Sequence, residues 1–109
     1  MKGYQVTFIT QQGRRHGRQT VHDWLLGVCK DVGVKGVTTV MGAEGIGRNG
    51  KLHAAHFFEL ADQPIEVVVA LTPEQCDALL QRLEAEQANL FYVRTEVEYG
   101  VVGAPPAGG

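Results

Sequence analysis

Apolar residues recur along this chain with two different periods, and the order of those periods predicts the fold. Residues 4–10 alternate, with Tyr4, Val6 and Phe8 on one side and Gln5 and Thr7 on the other. That is the period of a strand with one buried face. A polar loop, Gln11 to Gly17, comes next. Val21, Trp24, Leu25, Val28, Cys29 and Val32 then fall on a single helical stripe. Gly33 stands just past it, where a helix wants a left-handed residue. Val37, Thr39 and Met41 begin a second strand, which runs into a loop carrying five glycines between Gly36 and Gly50.

Residues 55–71 read as one long strand in two pieces, Ala55–Leu60 and Ile65–Leu71, interrupted at Pro64. Thr72-Pro73-Glu74-Gln75 is a capping box with proline at the first helical position. Cys76, Leu79, Leu80 and Leu83 form the second helical stripe. A last strand sets Phe91, Val93, Val97 and Tyr99 on one face, and Tyr92, Arg94, Glu96 and Glu98 on the other. Residues 100–109 are Gly, Ala, Val and Pro alone, a flexible tail behind a domain of residues 1–99.

The order is βαββαβ, the split-βαβ arrangement, which predicts an α+β ferredoxin-like fold with both helices on one face of an antiparallel sheet. The other face is expected to carry Gln5, Thr7, Thr38, Val40, Glu66, Val68, Ala70, Arg94 and Glu96. That set is too apolar for full exposure, so the reading is an oligomer assembled through this face.

A length of 109 residues fits one domain. The net charge of −2 does not suit a protein that coats nucleic acid, which normally needs a strongly basic surface. No run approaches 18 apolar residues, so a membrane-embedded chain is not expected. The N-terminus enters a strand pattern at once, which argues against a signal peptide. Cys29 and Cys76 are the only cysteines, too few for a disulfide framework, and a reducing cytoplasm is the expected location. Both lie on apolar stripes, as packed thiols do.

Several motifs invite chemistry and do not sustain it. Gly45-Ile46-Gly47-Arg48-Asn49-Gly50 matches G-x-G-x-x-G, but a dinucleotide site needs a helix to start on those glycines. Here Lys51-Leu52-His53 and a strand pattern follow. Gly45 to Lys51 also approaches a P-loop, yet Leu52 occupies the Ser/Thr position. His53 and His56, three apart on a strand, point to opposite faces, so no metal site is expected. His16 and His22 read as solvated surface. No Ser-His-Asp, Cys-His or paired-carboxylate set suggests an enzyme, and none implies a cofactor.

One juxtaposition stands out. In βαββαβ topology the loops after the first and second strands leave the same end of the sheet. The first brings Arg14, Arg15 and Arg18, with His16, beside a helix N-terminus. The second brings Arg48 and Lys51, with Gly45 and Gly47 letting backbone amides approach a ligand. Five cations at one end of a chain of net charge −2 favour an anion.

Val37-Thr38-Thr39-Val40 through Gly45-Ile46-Gly47-Arg48 resembles the stem of the PII signalling loop, and Ile65-Glu66-Val67-Val68-Val69 resembles the strand that follows it. His16-Gly17-Arg18, Gly42-Ala43-Glu44-Gly45-Ile46-Gly47, Leu52-His53 and Phe58-Glu59-Leu60-Ala61-Asp62-Gln63-Pro64 are similar to the short PII-like family catalogued as a domain of unknown function. The resemblance covers about residues 4–99. It implies a homotrimer with small-ligand clefts between subunits. The connection before the last strand departs from PII: Glu86-Gln87-Ala88-Asn89 stands where PII proteins carry a glycine- and lysine-rich turn. The expected function is a non-enzymatic cytoplasmic regulator that binds a small anion, with an adenine nucleotide as one candidate, and signals to a protein target such as a transporter or enzyme. The alternatives are a metal-binding trimer resembling CutA, through His53 and His56, and a small enzyme whose site is completed between subunits.

Overall fold

The computed structural model describes residues 1–42, 44–46, 52–54 and 63–105. Strand β1 spans Lys2–Gln11 and leads into a hairpin of two short strands, β2 (Arg15–His16) and β3 (Gln19–Thr20). Helix α1 covers Val21–Asp31, and β4 covers Val37–Met41. A second small hairpin, β5 (Glu44–Ile46) with β6 (Leu52–Ala54), precedes β7 (Pro64–Leu71), α2 (Pro73–Ala85) and β8 (Phe91–Glu98). The main sheet has the order β4-β7-β1-β8, and its three pairings are antiparallel. This is the ferredoxin-like α+β fold that the element order predicts. The two small hairpins are additions to it, and the expected piece Ala55–Leu60 lies outside the described residues. Pro64 opens β7, a position that asks for no ladder hydrogen bond from its missing N–H.

Both helices pack on one face. Val6 and Phe8 of β1, Val67 and Val69 of β7, Leu25 and Cys29 of α1, and Cys76 and Leu79 of α2 are fully buried there. Each large apolar side chain removed from water in this way contributes roughly 1.5–3 kcal/mol. Trp24 closes the layer at 6% exposure, as the stripe predicts. Helix α2 starts on the expected capping box: Thr72 Oγ1 accepts from the Gln75 amide at 3.1 Å, and Gln75 Oε1 accepts from the Thr72 amide at 3.0 Å. Thr20 caps α1 in the same manner, accepting from the Asp23 amide.

The opposite face of the sheet is covered by no described element, and strand register decides what it carries. Directly opposed residues of an antiparallel pair share a face. Val6 opposes Arg94, Phe8 opposes Tyr92 and Tyr4 opposes Glu96. Arg94 and Glu96 therefore sit on the helix side, contrary to the expectation from alternation. The Arg94 guanidinium lies 4.7 Å from the centre of the Tyr4 ring, with Nη1 4.0 Å from Cys76 Sγ of α2. The open face receives Phe91 and Val93 instead. One row runs Val40, Glu66, Ile9, Phe91, and the next runs Thr38, Val68, Thr7, Val93. Val40, Phe91 and Val93 are 43–49% exposed in the single chain. The open face is thus more apolar than the sequence reading had it.

Candidate functional site

Gln11 pairs with Pro64, Met41 with Ile65, and Ile9 with Phe91. These pairings bring four features to one end of the sheet, the upper end. They are the β2–β3 hairpin, the start of α1, both ends of the 42–63 connection, and the Glu86–Leu90 connection. Backbone bonds secure the junction: the Gln12 amide donates to the Gln63 carbonyl at 2.9 Å, and the Gly42 amide to the Pro64 carbonyl at 2.8 Å. The first and second loops leave the sheet at the same end, as expected from topology.

The hairpin turns through Gly17 and Arg18. Gly17 has φ +63° at the first of the two loop positions, the arrangement of a type II′ turn. Its arginines do different things. Arg14 Nη2 donates to the Ala88 carbonyl at 2.6 Å and is partly buried. Arg15 Nη2 donates to the Arg18 carbonyl, tying the tip together at the surface. Arg18 is exposed, and its guanidinium makes no hydrogen bond or ion pair among the described residues. Gly45 lies in β5, opposite His53. Gly47, Arg48 and Lys51 lie outside the described residues, as does His56.

The expectation of solvated histidines is not met. His16 stacks flat on Trp24, with ring centroids 3.7 Å apart and planes 18° apart, and its Nε2 faces Glu86 Oε1 at 3.8 Å. His22 Nε2 lies 2.9 Å from Thr39 Oγ1, linking α1 to β4. Neither contact has a sequence signature, because each joins residues brought together only by the fold. The hairpin itself had one: glycine followed by a polar residue is a II′ signal.

Two polar atoms at this end are buried without a hydrogen-bond partner among the described residues, Thr10 Oγ1 and Gln12 Oε1. Thr10 is near the end of β1, and Gln12 is the first residue past it. A cleft of about 350 Å³ opens nearby, lined by Phe8, Leu80, Leu83, Leu90 and Tyr92, with the polar Glu84 and Asn89. At the opposite end, a cleft of about 370 Å³ is lined by Lys2, Tyr4, Pro73, Glu96 and Glu98, whose carboxylates disfavour an anion. Among the described residues no cluster of three or more His, Cys, Asp or Glu side chains could hold a metal. Cys29 and Cys76 are free and buried, and burial pushes the Cys29 thiol up to about 11. Among the described residues no helix is long and apolar enough to cross a membrane.

This architecture is shared with solved PII-like proteins. The PII-like protein CPII of Thiomonas intermedia K12, in a structure bound to ADP, AMP and bicarbonate, is 20% identical. It superposes with a TM-score of 0.64 over 89% of both chains. A putative PII-like signaling protein of Thermus thermophilus is 18% identical, with a TM-score of 0.65 over 88% of this chain and 87% of that one. At such identities the likeness defines the class of fold, PII-like and ferredoxin-like. No curated protein sequence matches. The family model DUF190, described as "Uncharacterized ACR, COG1993", matches residues 3–99, and the chain belongs to that family.

Proposed function

We propose that this chain is a non-enzymatic PII-like regulator, working as a homotrimer in the cytoplasm. It binds a small anion, an adenine nucleotide by preference, at clefts between subunits near the upper end. The observation that carries the reading is the exposed guanidinium of Arg18 on a hairpin tip, uncommitted among the described residues. It is raised at the end of the sheet where a cleft walled by the Phe8 and Tyr92 rings and by Leu80 and Leu90, with Glu84 and Asn89, also opens. A nucleotide presents both chemistries, a phosphate for the arginines and a planar base for the cleft. Arg15 and Arg18 are the described candidates for phosphate contact, and Arg48 and Lys51, with Gly45 and Gly47, the candidates on the second loop. The ADP and AMP bound to CPII support the ligand class. The open sheet face supports assembly, since a patch containing Ile9, Val40, Val68, Phe91 and Val93, with Glu66 and Thr7 among them, is best buried against further copies of itself. Ligand occupancy would reshape the upper end and present it to a protein target.

Calorimetry with AMP and ADP, run alongside light scattering, tests both halves. Saturable binding to a trimer is expected, and Val68→Glu should leave a folded but dissociated or aggregating chain. A monodisperse wild-type monomer, or no nucleotide binding below millimolar, contradicts the reading.

A further inference from the structure

The β2–β3 hairpin is held by side-chain contacts that end on two other elements. Arg14 Nη2 reaches the Ala88 carbonyl. His16 lies flat on Trp24 of α1, and its Nε2 faces one oxygen of Glu86. The other Glu86 oxygen is held by Arg82 Nε. Glu86 and Ala88 belong to the turn that ends α2. There Gln87 and Asn89 adopt φ +52° and +48° without being glycine. Backbone of that kind persists only where its surroundings hold it in place.

We propose that Arg14 and His16 are positioning residues that clamp the hairpin and the Glu86–Leu90 connection into one unit, so that an anion drawn to the hairpin tip also moves the connection. The hairpin arginines divide by role accordingly. Arg14 is turned inward on a backbone carbonyl and does not meet the ligand. Arg15 braces the tip through the Arg18 carbonyl, and Arg18 is the cation presented to solvent. A ligand that pulls on Arg15 and Arg18 draws on His16 through two residues of chain, and His16 bears on both Trp24 and Glu86. The two left-handed, non-glycine residues make the connection the element with a second state available, because release of the clamp lets them relax toward ordinary backbone. The transmission step rests on the anion-binding reading; the clamp does not.

The molecule contains its own control. The Gln87 and Ala88 amides donate to the Glu84 and Leu83 carbonyls, while at the end of α1 the Gly33 and Val34 amides donate to Lys30 and Cys29 in the same pattern. Amide hydrogen exchange on the full chain should show Gln87 and Ala88 exchanging faster in His16→Ala and in Arg14→Lys, on the order of tenfold, with Gly33 and Val34 unchanged. His16→Phe keeps a ring on Trp24 but loses the Nε2–Glu86 contact, so it should restore the stack while Gln87 and Ala88 still exchange faster than in the wild type. Trp24, the one tryptophan in the chain, reports the stack by its emission. ADP added to the wild type should shift that emission saturably, and should not do so in Arg18→Ala. If Gln87 and Ala88 exchange at the wild-type rate in both clamp variants, the clamp is wrong. If His16→Ala does not fold, Arg14→Lys decides the point by itself. If calorimetry shows ADP binding while Trp24 emission and connection exchange stay fixed, transmission is wrong. If ADP does not bind at all, the anion reading falls, and the exchange data still decide the clamp.

Discussion

The two helices of this protein end in the same hydrogen-bonded turn, built from different residues. At the lower end α1 closes on Gly33, with φ +84°, and the buried Val34 follows it. The Gln75 side chain ties this turn to the start of α2, since its Nε2 donates to the Gly33 carbonyl at 3.0 Å while its Oε1 completes the capping box. Glycine accepts left-handed backbone without a Cβ penalty, so each local choice here agrees with the fold. At the upper end α2 closes on Gln87, in the same conformation and with a side chain that disfavours it. Asn89 repeats the compromise two residues on. Thr10 and Gln12 each leave a buried oxygen without a partner among the described residues, and an arginine is turned inward to hold a carbonyl. Locally costly features gathered at one end, opposite an end that has few of them, mark where selection has acted for something other than stability.

The contrast can be broken from either side. Thr72→Ala at the lower end removes the cap and leaves the Gln75 amide without its acceptor, and should destabilise by about 1–2 kcal/mol in urea unfolding. Gly33→Gln, which copies the upper turn into the lower one, should cost about 1 kcal/mol. The reverse change, Gln87→Gly, should stabilise by about 0.5–1 kcal/mol, part of the relief being offset by the extra freedom of glycine in the unfolded chain. Thr10→Val removes an orphaned hydroxyl at nearly constant shape and should be neutral or stabilising by up to about 0.5 kcal/mol. An unfolding midpoint that drops in either upper-end variant would remove the distinction between the ends.

A pH prediction belongs to the lower end, where the Cys29 carbonyl is part of the α1 turn. Burial raises the Cys29 thiol to about 11, so the folded state keeps its proton where the unfolded chain has lost it. Cys29 therefore contributes nothing to the pH dependence below about 8.5, and stability should fall as pH climbs from there toward 11. Iodoacetamide should label Cys29 at pH 8 only as fast as the protein opens. Rapid labelling of the native protein would contradict its packing.

Most of the lower end was legible in the sequence. Thr72-Pro73-Glu74-Gln75 and Gly33 are short-range signals whose chemistry is contained in a few consecutive residues. The fold order was legible for the same reason, since period and punctuation are local. The upper end was legible only as a juxtaposition of loops. His16 on Trp24 and Arg14 on Ala88 join residues 8 and 74 positions apart, and no pattern along the chain encodes them. The faces of β8 were misassigned for a related reason. Alternation tells which residues share a face, and only register with β1 tells which face is covered. Phe91 and Val93 look like core, yet they oppose Ile9 and Thr7 on the open side.

An anion site at the upper end, with none at the lower, is the central claim. Calorimetric titration of ADP into the wild type, Arg18→Ala and Lys35→Ala, each at low and high salt, tests it directly, since Lys35 is an exposed cation beside the lower turn. Arg18→Ala should weaken binding on the order of tenfold, and Lys35→Ala should match the wild type. Wild-type affinity should fall as salt rises, with a weaker salt dependence in Arg18→Ala. Equal affinities for the two variants at both salt concentrations would contradict the placement of the site.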